Sequence, residues 1–249
     1  TSGQAGNGTD VLMFSGSTLT VRQIPGVLGF GGAPMTVGPD GSVHVVTGAQ
    51  TPTGIQFSLS RITATAIQTT TFEGNFTSFV RVAGDGTAYI QAQRFSGNNI
   101  VRELKIVRTD GTVISVTIPG QGAALQANGG NLVVAPDGTA YTSYISETGR
   151  FHIAVITADG AITTRALPVG VTVDQPVSIS PTGAAFQRVS RVDPETGQSF
   201  VSVVSVATGA VSEEIPGLGA VSMGTDPIVF GPDGRGYVFA AQQIGSASC

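Results

Sequence analysis

The residues of this chain that could do chemistry are few and far apart. They include two histidines, one lysine and one cysteine: His44, His152, Lys105 and Cys249. A single cysteine excludes an internal disulfide and a cysteine-based metal cluster. The sequence also has no Gly-x-Ser-x-Gly nucleophile motif, no Gly-Lys phosphate loop, no paired histidines and no Asp-rich calcium loop. It therefore predicts no catalytic residue, no metal ion and no cofactor.

A small set of polar residues is placed where it could bind a ligand. Arg81 is the one charged residue at a position that recurs once in each of five sequence repeats and should point towards a central channel. An arginine facing a narrow channel needs an anion, a carboxylate or several carbonyls around it. Asp226, Gln175 and Asn131 could form a polar rim near the ends of the same strands, with Asp174 close by. We interpret these five residues as the candidate ligand-binding residues, with solvated loop ends as the alternative.

These positions belong to a repeat built around a Pro-Asp-Gly type corner. A short apolar strand, the corner and a second strand rich in β-branched and aromatic residues recur at 37–46, 80–91, 132–145, 177–190 and 228–240. Pro fixes φ for the turn, Asp bonds the backbone ahead, and Gly supplies the positive φ that lets the strands pair. The corner glycines are 45, 52, 45 and 51 residues apart: Gly41, Gly86, Gly138, Gly183 and Gly234. This period is typical of propeller blades.

The repeats predict the architecture of the whole chain. Four units of four strands are expected within residues 35–72, 79–118, 132–167 and 177–215, with two strands left over at each end. Pairing the two ends would complete a fifth blade and hide the sheet edges. The sequence thus predicts an all-β, five-bladed β-propeller closed by pairing the N-terminal and C-terminal hairpins in one shared blade. Residues 1–9 would be a linker and residues 10–249 a single domain; an open β-solenoid or a fragment of a longer repeat array is the alternative.

The blade pattern resembles the propellers of the virginiamycin B lyase-like and NHL-like families. The matching residues are the Gly-Pro-Asp-Gly and Ala-Pro-Asp-Gly corners and the segment 156–168, ITADGAITTRALP. This resemblance covers all five repeats and implies a propeller scaffold. Lyases of that family place a catalytic His and Glu with a magnesium site at one mouth of the propeller. No His motif stands at the matching corners here and the chain has no Trp, so the resemblance does not extend to the activity.

Alignment on the corner glycine separates structural positions from unusual ones. Three residues after the glycine stand His44, Tyr89, Tyr141, Phe186 and Tyr237. This column is typical of a flat ring packed between blades, so we interpret His44 as a core ring with a satisfied nitrogen. The first-strand column that should face the channel holds Thr36, Arg81, Val133, Ser178 and Val229. A glycosidase would need carboxylates there, and none is present.

The composition limits the kinds of partner and the cellular compartment that can be expected. The net charge of -4 offers no basic stripe for nucleic acid, and no apolar run reaches the roughly 18 residues of a membrane-spanning helix. Thr, Ser, Gly and Ala are abundant beside one lysine, which is typical of a bacterial secreted or cell-envelope protein. We expect a monomer.

The long connections favour one function over the others. They fall on one face of the predicted disc, at residues 25–33, 48–55, 73–78, 94–99, 119–131, 168–175, 193–199 and 216–226. Variable loops on a rigid scaffold are where binding usually occurs. The sequence therefore favours a non-catalytic module that binds a protein or glycan partner through this long-loop face. The alternatives are a lyase or hydrolase acting at the channel mouth, with Arg81, Asp226 and Asp174 as the groups to test, and an architectural spacer.

Overall fold

The chain forms strands and turns throughout the part that the structure describes. In this computed structural model that part comprises residues 8–15, 18–27, 35–52, 54–96, 99–120, 132–173, 175–217 and 228–238. Its regular elements are all β-strands, which agrees with the β-branched content and glycine punctuation of the sequence. Among the described residues, no helix has the length and hydropathy needed to cross a membrane. The all-β prediction is confirmed.

Unit 1 is the first of two compact parts of the chain. It is formed by Thr1–Gly129 together with two short segments, Pro136–Thr139 and Thr157–Ala161. A two-stranded hairpin, β1 and β2, precedes two antiparallel four-stranded sheets, sheet 1 (β3 to β6) and sheet 2 (β7 to β10). Each sheet is a simple meander, as in a propeller blade. The strands are β1 Gly8–Ser15, β2 Thr18–Pro25, β3 Met35–Val37, β4 Val43–Thr51, β5 Gly54–Ile62, β6 Ile67–Gly74, β7 Phe76–Val82, β8 Ala88–Ser96, β9 Asn99–Val107 and β10 Val113–Ile118.

Unit 2 is formed by Gly130–Ala135, Ala140–Ile156 and Ile162–Cys249. It contains the meander of sheet 3 (β11 to β14), the five strands of sheet 4 (β15 to β19) and a final two-stranded pair. Its strands are β11 Val133–Val134, β12 Ala140–Ile145, β13 Phe151–Ile156, β14 Ile162–Ala166, β15 Val171–Thr172, β16 Ser178–Ile179, β17 Ala185–Val192, β18 Ser199–Ser205, β19 Ile215–Gly217, β20 Val229–Phe230 and β21 Gly236–Tyr237.

In four of the five repeats, an aspartate holds the corner between the first two strands. Asp40 Oδ1 accepts a hydrogen bond from the main-chain N–H of Ser42 at 3.0 Å. The same bond, to the residue two positions later, is made by Asp85, Asp137 and Asp233. Gly41, between the two, has a φ of 76°, a conformation that disfavours any residue with a Cβ. Local turn chemistry therefore fixes where each pair of strands begins.

Apolar side chains pack between neighbouring sheets within each unit. In unit 1, the hairpin side chain Ile24 is buried against Val45 and Ile62 of sheet 1. The other face of sheet 1 packs on sheet 2 through Val46, Phe57, Leu59, Phe72, Val80, Ala88, Ile90 and Val107. In unit 2, sheets 3 and 4 share a core of Ala135, Tyr141, Ile153, Leu167, Val177, Ala185, Val189, Val204 and Val206. Each sheet thus buries a face against its neighbour, as a blade does.

Three connections that the sequence predicts to be long are short in the structure: residues 48–55, 73–78 and 94–99. The first and third are hairpins that close at Thr51 with Gly54 and at Ser96 with Asn99. A single residue, Asn75, separates β6 from β7. The prediction of long loops at these three places was wrong, because the strands on both sides extend further than the glycines suggest.

Sheet 4 departs from the simple meander. Its first strand is divided into β15 and β16, which both pair with β17. Its last strand, β19, pairs Val201 with Ile215, so it begins at the end of the predicted strand 210–215. Only an isolated bridge, between Val204 and Val211, lies in that earlier stretch.

Candidate functional site

The five candidate ligand-binding residues have different positions in the structure. Arg81 is exposed on β7, where it pairs with Tyr89 of β8. Gln175 is buried, and its main-chain carbonyl accepts a hydrogen bond from Gln187 Nε2 at 2.9 Å. Arg81 belongs to unit 1 and Gln175 to unit 2. The other three candidates, Asn131, Asp174 and Asp226, lie outside the described residues.

The first-strand column does not share one environment. Thr36 is half-buried, and its hydroxyl donates a hydrogen bond to the carbonyl of Val80 at 2.9 Å. This bond joins the first strands of sheets 1 and 2. Ser178 is buried, whereas Val229 is exposed. These positions therefore contribute to packing between strands as well as to any channel surface.

His44 is a buried ring held in a polar network. It is 1% exposed, and its Nε2 lies 2.9 Å from Ser42 Oγ. Ser42 Oγ donates to Asp40 Oδ1 at 2.6 Å, and Arg61 Nη2 donates to Asp40 Oδ2 at 2.6 Å. The interpretation of His44 as a core ring with a satisfied nitrogen agrees with this geometry. Ser42 is itself 2% exposed, so it is shielded from any substrate despite its contact with a histidine.

Electrostatics keep this network in one ionisation state. Hydrogen bonds from Ser42, followed by that from Arg61, hold the pKa of Asp40 well below its usual range. Burial lowers the pKa of His44, and the nearby positive charge of Arg61 lowers it further. His44 is therefore neutral at pH 7 and Asp40 ionised. The second ring nitrogen, Nδ1, is buried without a hydrogen-bond partner.

His152 lies on β13 and stacks on the ring of Tyr144, with centroids 5.2 Å apart and planes inclined by 20°. It is half-buried rather than a fully exposed surface residue. Burial lowers the pKa of His152, and Arg150 lowers it further. Among the described residues, no group of three or more His, Cys, Asp or Glu side chains is arranged to hold a metal ion.

The structure adds a pocket that sequence reasoning missed. It lies within unit 2, between sheets 3 and 4, and has a volume of about 310 Å³. Its lining combines hydroxyls, one arginine, small residues and aliphatic side chains: Tyr141, Val155, Thr163, Thr164, Arg165, Gly183, Ala184, Ala185, Val206 and Ala207. Tyr141, Val155 and Thr163 form a continuous row across three strands, because Val155 pairs with both of the others. The pocket lies at the sheet ends that carry the tight corners.

Arg165 is anchored at this pocket by backbone groups. Its Nε donates to the carbonyl of Val206 at 3.1 Å, and its Nη2 donates to the carbonyl of Ala207 at 2.6 Å. A longer contact of 3.5 Å joins Nη1 to the carbonyl of Thr208. A Cβ on Gly209 would lie 3.0 Å from Nη1. The guanidinium thus binds the turn after β18 through hydrogen bonds, and most of its N–H donors are already used.

A signal for the pocket was present in the repeats. Three and five residues after the glycine of the third-to-fourth strand corner, sheet 2 has Ile114 and Val116, whereas sheet 3 has Thr163 and Arg165. In sheet 2 both side chains pack close to Gly160. Polar residues at positions that are apolar in the preceding repeat leave the space between sheets partly unfilled. Alignment of the fourth strands, rather than of the first two, would have identified them.

The chain resembles several solved structures at low sequence identity. It is 18% identical to TolB from Acinetobacter baumannii, with 80% of this chain and 46% of TolB covered and a TM-score of 0.43. It is 17% identical to the Kuenenia stuttgartiensis hydrazine synthase, with 73% and 53% covered and a TM-score of 0.47. The chain thus spans about half the length of these two proteins.

Virginiamycin B lyase from Staphylococcus aureus is also among the similar structures. Its identity to this chain is 14%, with 79% of this chain and 74% of the lyase covered and a TM-score of 0.40. This lyase belongs to one of the families that the sequence pattern resembles. No protein-family model and no curated protein sequence matches the chain.

Proposed function

We propose that the chain is a non-catalytic binding module and that the pocket between sheets 3 and 4 is one of its binding sites. The observation that carries this proposal is the lining of that pocket. Thr163 offers a hydroxyl in the same row as Val155, beside the apolar surface of Val155 and Val206. Such a combination of apolar walls with a few polar groups is typical of ligand sites.

The ligand that suits this pocket is a neutral polar group. Arg165 already donates to main-chain carbonyls, so few of its N–H groups remain to bind an anion. Hydroxyl groups both donate and accept hydrogen bonds, as sugar hydroxyls do. A volume of about 310 Å³ lies at the small end of ligand sites and suits one sugar ring. We therefore favour a glycan over a protein as the partner at this pocket.

The test is glycan binding by the protein with a matched pair of variants. Thr163→Val removes a hydroxyl from the pocket, and Thr71→Val removes one from β6, the corresponding strand of sheet 1. Both threonines are exposed fourth-strand residues. On a glycan array followed by calorimetry, the first variant should weaken binding about tenfold, as expected for a lost hydrogen bond of about 1.4 kcal/mol. Equal affinity of Thr163→Val, Thr71→Val and the unaltered chain would exclude the pocket as the glycan site.

The proposal extends to a closed, five-bladed ring formed by residues 10–249 as one domain. In this arrangement the β1–β2 hairpin and the β20–β21 pair share one blade. The support is a difference between equivalent repeat positions. Val80 and Tyr89 are both 0% exposed, whereas Met35 is 55% and Tyr237 52% exposed. Ring closure would bury these two exposed apolar side chains, one from the first repeat and one from the last.

We propose that the surface facing the partner also includes the long connections. The compartment that we propose is extracellular or the cell envelope. One lysine among 12 basic residues, with abundant Thr, Ser and Gly, supports the compartment. Detection of the native chain only in the cytoplasmic fraction of its cell would refute it.

A further inference from the structure

The third strand of sheet 2, β9, has charged residues on both of its faces. Successive side chains of a strand point to opposite faces, so Glu103 and Lys105 share one face, and Arg102 and Leu104 share the other. All four are buried. Buried charges are costly unless they are paired. The two faces differ in how this requirement is met.

On the face of Glu103, the carboxylate is paired with two cations. Arg94 Nε lies 2.9 Å from Glu103 Oε1, and Lys105 Nζ lies 2.7 Å from Glu103 Oε2. Lys105 Nζ also donates to Ser115 Oγ at 3.0 Å. Both carboxylate oxygens are therefore used on this face, and Glu103 points away from Arg102.

The face of Arg102 has a buried cation without a countercharge. Arg102 is 6% exposed, and its Nε is buried without a hydrogen-bond partner. It makes no ion pair with any described residue. Its neighbour across the sheet on β8 is Gln93, and the next residue of β8 on this face is Gln91. Arg81 also lies on this face, because it pairs with Tyr89. Among the described residues of sheet 2, no Asp or Glu shares this face.

The two ends of this face have different surroundings. At the corner end, Tyr89 donates a hydrogen bond from its hydroxyl to the carbonyl of Gly138 at 2.7 Å. Ile114 lies there too, close to Gly160. Arg102 and Gln93 are at the other end, beside the β8–β9 hairpin. Arg102 is also opposite Ile118, the last residue of β10. The unpaired cation is therefore at the sheet end from which the chain enters the connection 119–131.

The geometry points to a second binding site, at Arg102, for an anionic group of a ligand. A guanidinium binds a carboxylate or a phosphate through two parallel hydrogen bonds, and the amide N–H group of Gln93 can donate to a remaining oxygen. A bound anion supplies the countercharge that Glu103 cannot, since that side chain lies on the opposite face. The site is separate from the pocket between sheets 3 and 4, and its proposed ligand is anionic rather than neutral.

The test is anion binding to the full chain at constant ionic strength. Inorganic phosphate and acetate are titrated separately while the Tm and the side-chain N–H signals of arginine are followed by calorimetry and NMR. At a ligand concentration of about 100 times Kd, the Tm should rise by about 5 to 10 °C. A response to phosphate alone assigns a phosphate ligand, a response to acetate alone assigns a carboxylate, and a response to both supports the shared chemistry.

Two variants connect the response to Arg102. Arg102→Met should abolish it, whereas Arg235→Met, at an arginine whose side chain is 80% exposed, should retain it. In anion-free buffer Arg102→Met should be at least as stable as the unaltered chain, because it removes an unpaired buried charge. A second variant, Arg102→Lys, keeps the charge but loses the planar guanidinium, and it should weaken anion binding by about tenfold.

Three results would overturn the site. They are the absence of any phosphate-dependent or acetate-dependent change, an unchanged response in Arg102→Met, and a lower Tm of Arg102→Met in anion-free buffer. The last result would show that Arg102 is held by a group of the chain itself. None of the three bears on the glycan test at Thr163, so the two proposals succeed or fail separately.

Discussion

The hydroxyl of Tyr89 donates a hydrogen bond to the main-chain carbonyl of Gly138, 2.7 Å away. It thereby fastens the ring of one repeat to the corner of the next, across 49 residues of sequence. Burial, with smaller contributions from the charges of Asp85 and Asp137, raises the pKa of Tyr89 to about 12. The hydroxyl therefore remains a donor across the physiological pH range.

Tyr89→Phe should destabilise the chain by about 1 to 2 kcal/mol, because it leaves the buried carbonyl of Gly138 without its donor. Tyr144→Phe is the matched control, since Tyr144 is also a buried ring but its hydroxyl makes no hydrogen bond with any described residue. The control should change the unfolding free energy by less than about 0.5 kcal/mol. Urea denaturation of the two variants measures both values. Equal effects of the two variants would mean that the hydrogen bond from Tyr89 to Gly138 adds no measurable stability.

His44 should make stability depend on pH in the mildly acidic range. Its pKa is lowered by burial and by Arg61, so the folded state resists the proton that the unfolded chain takes up near pH 6.5. Its contribution is complete above that pH and is lost as the pH falls towards the lower folded-state value. The unfolding free energy should drop by up to about 1.4 kcal/mol per pH unit.

The variant that tests this dependence is His44→Phe, which keeps a ring in the column. Denaturation at pH 5 and pH 7.5 should show a smaller difference in this variant than in the unaltered chain. His152→Phe is the comparison, because the pKa of His152 is also lowered but the ring is only half-buried. If the pH dependence remained in His44→Phe and disappeared in His152→Phe, it would come from His152, and the prediction for His44 would be wrong.

The corner of sheet 1 should be more sensitive than the corner of the last repeat. Asp40→Asn removes the charge that Arg61 contacts at 2.6 Å and weakens the bonds from Ser42. We expect a loss of about 1 to 2 kcal/mol at pH 7. Because the pKa of Asp40 is lowered, this stability is present above about pH 4 and is lost as the pH falls further.

Asp233→Asn is the matched control for that corner. Asp233 makes the same turn bond, to the main chain of Arg235, but its contact with the Arg235 side chain is 3.4 Å long and exposed. Exposed pairs contribute little, so this variant should lose less than Asp40→Asn in the same urea titration. Similar losses at pH 7 would show that the turn bond, rather than the network around Ser42, carries the effect.

The corners could be predicted from the sequence because they depend on local turn chemistry. The contacts between strands could not be predicted in this way. Asp-Gly corners depend on residues two positions apart, and their bonds appear where expected. The junction at Asn75 was predicted as a loop, yet its N–H donates to Gln93 and its side-chain oxygen accepts from Phe95. Those bonds join residues about 20 positions apart in the chain and are set by register. The lack of an ion-pair partner for Arg102 could not be predicted from the sequence either, because it depends on which side chains share its face of the sheet.

Ring closure can be tested at two residues that are exposed in the first and last repeats, Met35 and Tyr237. If the terminal hairpins share a blade, Met35 and Tyr237 are buried, and Met35→Arg or Tyr237→Arg places a charge in an apolar interface. Each should cost about 2 to 3 kcal/mol. Val169→Arg is the control at a position 78% exposed, with an expected effect of less than about 0.5 kcal/mol. Thermal and urea unfolding compare the three variants. If Met35→Arg and Tyr237→Arg are tolerated as well as Val169→Arg, the repeats form an open array.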